Sequence, residues 1–376
     1  MSQNNHLKNL CILFGGRSGE HEVSLLSAAS VIRHAPWDSS AIILVGIDRD
    51  GRWWLQSKDK INSVRSGSAL DISRGSQVFA KPADGLWAES DSTLQKLPID
   101  VVFPVLHGTN GEDGTVQGFL ETADLPYVGS GILGSALGMD KEKVKRVWIE
   151  AGVPVVPFSL IRSSDKRDPE KLYAEVSHRY GPLVFVKPSR CGSSVGISRA
   201  DSPASFVAAL ELAFNFDDKV MIEPAIDARE IEVSVIGNNH PQSFTPGEIL
   251  PSHAFYDYDA KYLDPEGARL DIPASLTLEQ CAEAKRIAEA AYLACEARGF
   301  SRVDLFLERK SGKFMLNEIN TIPGFTNISM FPMLAAHDGL AYNDLIIKLC
   351  TLGKEDHEAK HRLRYSLTKE ASATTN

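Results

Sequence analysis

Short apolar runs that stop at glycines or polar turns mark out the first third of the chain. The run LCILF at residues 10–14 reads as a buried strand that enters a glycine turn. A helical pattern follows over residues 22–34, and a second apolar strand over residues 41–47. Residues 48–98 are polar and rich in Ser, Asp and Lys. Strand character returns at residues 101–106 (VVFPVL), which end in the loop HGTNGEDG and a short helix. This β-turn-α alternation predicts an open parallel sheet with its loops at the carboxyl ends of the strands.

A second region opens with DKEKVKRVWIEAG at residues 140–152, a capped helix ended by glycine. Strands are predicted at residues 183–187, 219–223, 230–237 and 302–308. Within residues 277–298, Cys281, Ala284, Ala288, Ala291 and Cys295 recur at spacings of three and four, which makes one buried helical stripe. The last ~20 residues are polar and expected to fray.

Composition narrows the class. A chain of 376 residues has room for two or three domains, at ~100–200 residues each. The formal net charge of -9 argues against a nucleic-acid binder, which needs a basic stripe. Cys11, Cys191, Cys281, Cys295 and Cys350 are scattered without a C-x-x-C pair, so neither a disulfide framework nor a structural zinc site is expected. The apolar run near the N-terminus is too short for a signal peptide or a membrane span, and a cytoplasmic location is expected.

The strongest chemistry lies in SRVDLFLERKSGKFMLNEIN, residues 301–320. Two alternating runs flank Lys310-Ser311-Gly312 and read as a β-hairpin. Pairing symmetric about Ser311 sets Asp304 opposite Glu318 and Arg302 opposite Asn320, all four on one face. Carboxylates directly opposed across a ladder repel. A hard cation between them reverses that cost, and Asp, Glu and Asn oxygens are ligands that magnesium accepts. The bland reading is a solvated charged face. The same face is expected to carry Phe306, Phe314 and Leu316, which argues against plain solvent; Val303, Leu305 and Leu307 would form the other face with Met315 and Ile319.

The strand at residues 183–187 runs into KPSRCGSSVG, where small residues let backbone N–H groups approach phosphate oxygens and Lys187 and Arg190 supply positive charge. Residues 192–196 also match the serine-hydrolase elbow G-x-S-x-G, but a K-P-S-R spacer precedes them and Pro203 follows, so the strand–elbow–helix context is missing. Residues 129–134 (GSGILG) match the dinucleotide fingerprint G-x-G-x-x-G, without a strong preceding strand or an acidic ribose ligand at the end of a second strand. They read as an interdomain turn.

Eight segments in order carry a resemblance over nearly the whole chain: FGGRSGEHEVS (14–24), HGTNGEDG (107–114), GMDK (138–141), VKPSRCGSSVG (186–196), AREIEV (228–233), YDYDAKY (256–262), RVD (302–304) and NEINTIPGFTNISMFP (317–332). Together they resemble the D-alanine–D-alanine ligases of the ATP-grasp superfamily. The resemblance implies an α/β fold: an N-terminal open parallel-sheet domain over residues 1–138, then an ATP-grasp fold of two α+β subdomains, residues 139–227 and 228–355, with a polar tail over residues 356–376. It implies ATP and two Mg2+ ions, with Mn2+ as a substitute. Lys141, Lys187 and Lys261 would bind ATP, Glu223 the adenine amino group and Glu230 the ribose. Asp304 and Glu318 would hold one metal ion, and Glu318 and Asn320 the second.

For the substrates, the resemblance implies that Glu22 binds the ammonium of the first D-alanine with His107 nearby. Glu22, Ser193 and Tyr262 would form a hydrogen-bonded triad that ties a mobile loop over the site. Arg302, Ser329 and Lys261 would handle the second D-alanine's carboxylate and the oxyanion, with Gly324 and Met330 completing the substrate site. The implied reaction is ATP-dependent formation of D-alanyl-D-alanine through a D-alanyl phosphate, for peptidoglycan precursor synthesis, by a homodimer. The alternatives are a D-alanyl-D-lactate or other D-Ala-X ligase, a NAD-dependent dehydrogenase, and a catalytically silent ATP-grasp binding protein. Cys191 is expected to be a reactive thiol, because Arg190 and the loop amides would favour its thiolate.

Overall fold

The computed structural model describes residues 7–90, 93–165, 167–251 and 268–364. Its first unit contains β1 (Leu10–Gly15), α1 (His21–His34), β2 (Ile42–Ile47), β3 (Trp53–Leu55), α2 (Asp59–Arg65), β4 (Val78–Ala80), β5 (Leu86–Ser90), β6 (Thr93–Lys96), β7 (Val101–Val105), α3 (Thr115–Thr122) and α4 (Ile132–Met139). The sheet order is β3-β2-β1-β7, with β1 parallel to both β2 and β7 and β3 antiparallel at the edge. Every residue of β1, β2 and β7 is buried, as continuous apolar runs in a covered parallel sheet require. The polar stretch before β7 holds α2 and a small antiparallel sheet, β4-β5-β6. Its apolar signal is thin because Leu86 and Ala88 are buried on one face while the whole of β6 is exposed.

The next unit contains α5 (Lys141–Glu150), β8 (Ser159–Arg162), α6 (Pro169–Tyr180), β9 (Val184–Pro188), β10 (Ser198–Ala200), α7 (Pro203–Phe214) and β11 (Lys219–Pro224). Its antiparallel sheet runs β10-β9-β11-β8. Asp140 caps α5 by accepting from the Lys143 amide.

The last unit contains β12 (Ala228–Ile236), β13 (Gln242–Ser243), β14 (Gly247–Pro251), β15 (Ala268–Asp271), α8 (Leu278–Ala294), β16 (Phe300–Glu308), β17 (Phe314–Asn320), α9 (Met330–His337) and α10 (Tyr342–His361). Five strands run β15-β14-β12-β16-β17, and β13 pairs with β12. Thr277 and Gln280 form a capping box at the start of α8. Ala284, Ala288, Ala291 and Cys295 are buried as their spacing predicts, whereas Cys281 is half-buried near the helix start. The chain end departs from expectation. Residues 356–361 continue α10, held by Lys360 to Glu121 at 2.8 Å.

The G-x-G-x-x-G stretch is a packing joint. A Cβ on Gly134 would stand 2.9 Å from the Glu296 carbonyl oxygen, and one on Gly299 would stand 2.9 Å from the Gly129 nitrogen. These glycines let the start of α4 and the β16 approach meet backbone to backbone. Among the described residues, no helix is long and apolar enough to cross a membrane.

Candidate active site

The hairpin has the predicted pairing at its chemical end: Arg302 faces Asn320 and Asp304 faces Glu318. Beyond them the register shifts, and Leu305 faces Leu316 and Leu307 faces Phe314. Asn317 is therefore an extra residue in β17, a bulge. It turns Phe314 and Leu316 onto the buried apolar face and removes Met315 from it, which corrects the face assignment read from symmetry. Arg302 forks onto Asp304 with two bonds of 2.7 Å and lies 3.1 Å from Glu232. The Asn320 side-chain amide donates to Asp304 at 2.9 Å, and the Lys141 ammonium lies 3.5 Å from Glu318. Protein cations thus offset the cross-strand repulsion. An all-oxygen Asp/Glu/Asn set on one face of a ladder fits a hard divalent cation.

Beside the hairpin lies a buried ion cluster. Lys187 on β9 meets one oxygen of Glu223 at 2.6 Å, and Lys145 on α5 meets the other at 2.5 Å. Burial works against the Glu223 charge, but the two lysines outweigh it and bring its pKa down to about 2. Burial also disfavours charge on both lysines. For Lys187, the fields of Glu223, Glu318 and Glu230 outweigh burial and raise its pKa. For Lys145 burial wins and its pKa is lowered. Lys145 was not foreseen. Its signal is the four-residue spacing from Lys141, which puts both lysines on one face of α5. Lys141 also donates to the Cys191 carbonyl at 2.8 Å.

The small-residue loop follows β9. Ser193 and Ser194 both have positive φ, 48° and 60°. Both lie in a turn over residues 193–196, a conformation in which successive N–H groups can face one concavity that suits an anion. Arg190 does not serve that cradle: its guanidinium is paired with Asp217 and Asp218. Cys191 also differs from expectation. Burial and the Asp217 carboxylate push its thiol pKa up, against the opposing fields of Lys141 and Arg190.

The loop reaches the N-terminal unit through the Ser193 side chain, and the partner is a correction. The Ser193 hydroxyl donates to Glu20, not to Glu22. Glu20 is the non-helical residue before α1 and is buried, at 9% exposure. Glu22 lies inside the first turn, with its side chain 63% exposed and paired with Arg49. The helix begins between the two acids, so they face different ways. Glu20 is positioned by Ser18, whose hydroxyl accepts from the Glu20 amide at 2.9 Å and donates to the His107 carbonyl at 2.7 Å.

His107 is buried, with its ring nitrogens 3.1 Å from the Ile322 carbonyl and 3.1 Å from the Ser27 hydroxyl. Burial and Arg302 bring its pKa down to about 4, so the ring is neutral at pH 7. Glu112 accepts from the Gly108 amide at 2.7 Å and the Ile322 amide at 3.3 Å. Burial and the neighbouring Glu20 push it up to about 8. This acid was also missed; its sequence signal was the HGTNGEDG loop itself.

Gly324, Ser329 and Met330 lie together at the start of α9. The Ser329 hydroxyl accepts from the Thr326 amide at 3.0 Å, and a Cβ on Gly324 would stand 3.0 Å from it. Ser329 is the N-cap, so the Met330 amide belongs to the first turn, where N–H groups lack intrahelical partners. The Met330 side chain packs with Ile249 and Leu334. Lys261 and Tyr262 lie outside the described residues.

Two family models match the chain: one described as D-ala D-ala ligase N-terminus over residues 9–130, and one described as D-ala D-ala ligase C-terminus over residues 147–351. The D-alanine–D-alanine ligase of Thermoanaerobacter sp. (strain X514) is 44% identical, covering 94% of this chain and 99% of its own. D-alanine–D-alanine ligase A of Escherichia coli (strain K12) is 41% identical, covering 95% and 98%. Among solved structures, the D-alanine–D-alanine ligase of Coxiella burnetii superposes with a TM-score of 0.78 at 31% identity, covering 94% of this chain and 97% of its own. The VanG D-Ala:D-Ser ligase of Enterococcus faecalis superposes with a TM-score of 0.78 at 34% identity, covering 93% and 100%. With both family models matched and near-full-length relatives above two-fifths identity, the chain belongs to the D-alanine–D-alanine ligase family.

Proposed function

We infer that this chain uses ATP to join two D-alanines into D-alanyl-D-alanine through a D-alanyl phosphate, supplying peptidoglycan precursor synthesis. The observation that carries the reading is a connected set of contacts: Lys141 reaches both Glu318 of the hairpin and the Cys191 carbonyl of the small-residue loop, Lys187 enters that loop from Glu223, and the Glu20–Ser193 contact brings the loop to the N-terminal unit.

In this reading Lys141, Lys187 and the loop amides take the ATP phosphates, Glu223 the adenine amino group and Glu230 the ribose. Lys187 must exchange Glu223 for phosphate, and Lys145 then stays on Glu223 and keeps that buried carboxylate matched. Asp304, Glu318 and Asn320 hold two divalent ions, magnesium or manganese. When bound, these ions neutralise charge on the transferring phosphoryl group. Glu20 replaces Glu22 as the partner of the first D-alanine's ammonium, with neutral His107 beside it. Arg302 and the first turn of α9, at Ser329 and Met330, take the second D-alanine's carboxylate and the developing oxyanion. The Gly324 backbone lines that pocket. Lys261 joins the phosphates, and Tyr262 completes the Glu20–Ser193 bond as a triad over the closed site. The loop excludes water that would otherwise hydrolyse the acyl phosphate.

The D-Ala:D-Ser relative at 34% identity makes the second substrate the finest open choice. Phosphate release measured with D-alanine, L-alanine, D-serine and D-lactate tests the reading. Release with D-alanine alone, yielding the dipeptide, is expected. A reaction requiring D-serine or D-lactate would move the chain to a sibling activity, and no ADP with any of them would end the ligase reading. We also propose a cytoplasmic homodimer, which light scattering of the purified chain would check.

A further inference from the structure

Far from the hairpin, the C-terminal helix meets the N-terminal unit through three side chains that share one point. Asp124 sits in the turn after α3, with a positive φ of 58° that aims it outward. His357 and His361 lie four apart on α10 and so on one helix face. The Nε2 atoms of His357 and His361 stand 2.9 Å and 2.7 Å from the same Asp124 oxygen, and 3.1 Å from each other. The imidazole rings lie 4.2 Å apart.

Two imidazole nitrogens directed at each other and at one carboxylate oxygen form a triangle of potential ligand atoms. Zinc–nitrogen and zinc–oxygen bonds of ~2.0–2.1 Å place tetrahedral ligand atoms about 3.3 Å apart. The observed edges of 2.9, 2.7 and 3.1 Å need open by about 0.2 to 0.6 Å to reach that spacing, which side-chain torsions at partly exposed residues supply. We propose that Asp124, His357 and His361 form a second metal site, for a d-block divalent cation such as zinc, that staples the end of α10 to the N-terminal unit. The nitrogen donors distinguish it from the all-oxygen hairpin set, because imidazole favours zinc, nickel or copper over magnesium. Water completes the shell, since the residues are partly exposed. The neighbouring ion pair of Lys360 with Glu121 at 2.8 Å already ties the helix to the N-terminal unit, so the site is formed before the ion arrives.

The test uses the full-length chain without a histidine tag, stripped with chelator and returned to excess magnesium, which covers the oxygen ligands of the hairpin. Zinc chloride is added while heat of binding and Tm are followed. One zinc per chain and a Tm rise on the order of 3 °C are expected. His361→Ala and His357→Ala should each weaken that binding by about 100-fold or more, beyond the ~10–100-fold that loss of a supporting contact to a ligand costs. Both should remove the zinc-dependent Tm rise while leaving metal-free Tm within a degree or so, because both side chains are at least partly exposed. ADP release with D-alanine should be unchanged in both variants. Equal zinc binding in the parent and both variants would overturn the proposal, as would a parent whose Tm does not respond to zinc. The latter would make the cluster a set of plain hydrogen bonds.

Discussion

The hairpin and the small-residue loop both gather charged groups, but at very different range along the chain. Asp304 takes its partners from two and sixteen residues away. The loop takes its partners from 25, 50 and 173 residues away, at Phe216, Lys141 and Glu20. An antiparallel ladder fixes which side chains face each other through its own turn and register. A loop held by single side chains from separate units has no such constraint and can open without breaking a core. The hairpin is therefore the rigid half of the site, and the Glu20–Ser193 contact is the half that can release and reform with each turnover.

Removing a hairpin ligand should have the largest effect. Asp304→Asn and Glu318→Gln should each lower turnover by about 10²-fold or more, as loss of a preorganised charge in a transition-state site does. Their stabilities should part company. Asp304 anchors the Arg302 fork, so Asp304→Asn should lower Tm by several degrees without metal. Glu318 meets Lys141 at 3.5 Å, a longer contact than the Arg302 fork on Asp304, so Glu318→Gln should lower Tm less. Equal Tm values would show that Arg302 does not depend on Asp304.

The next comparison is between two acids two residues apart. Glu20→Gln should lower kcat/KM for D-alanine by about 10²-fold, since it removes a buried charge at the loop contact. Glu22→Gln should change it by less than about twofold, since exposed ion pairs are worth only ~0–1 kcal/mol. A reversed result would return the role to Glu22. This pair shows where sequence reading stops. The motif E-H-E names two candidate acids, but the inward one is decided by where α1 begins, and that depends on how the loop before it packs. The hairpin was legible because its pairing is local and its pattern has period two. The bulge at Asn317 was not, because one inserted residue changes which face is buried without changing the composition. Lys145 looked like one more lysine on a basic helix until the fold brought Glu223 against it.

A smaller effect separates the two buried groups beside the loop by pH. Glu112 is raised from 4.5 to about 8, so the folded state keeps a proton that the unfolded chain releases. The resulting stability is fully present below pH 4.5 and is lost as pH rises through 8. His107 is lowered from 6.5 to about 4, so its contribution is present above pH 6.5 and is lost as pH falls through 4. The two slopes oppose each other between pH 4.5 and 6.5, which leaves the fall between 6.5 and 8 to Glu112. Glu112→Gln should flatten that fall and raise Tm at pH 8 by on the order of a few degrees. Thermal melts across this range decide it, and an unchanged slope would mean that Glu112 is already ionised in the fold.

The smallest expected effect is at Cys191, and it tests what holds the loop. A cysteine beside Arg190 invites the reading of an activated thiol, but that guanidinium is committed to Asp217 and Asp218. What Cys191 meets is partial burial and the Asp217 carboxylate, both of which disfavour a second negative charge. Its sulfur lies 3.8 Å from the Phe216 carbonyl, and its own carbonyl accepts from Lys141. The backbone contact, not the thiol, ties this residue to Lys141. Cys191→Ser should therefore retain turnover within about twofold, because the substitution leaves the carbonyl in place. A mild alkylating reagent at pH 7 should label Cys191 more slowly than a free cysteine, since the thiolate is the nucleophile. Cys11 and Cys295, pushed up to about 12 by burial, should not react at all in the native protein. Labelling rates followed by mass spectrometry provide the check. Fast modification of Cys191 would mean that Arg190 leaves Asp217 in solution, and that the loop spends much of its time away from the Glu20 contact.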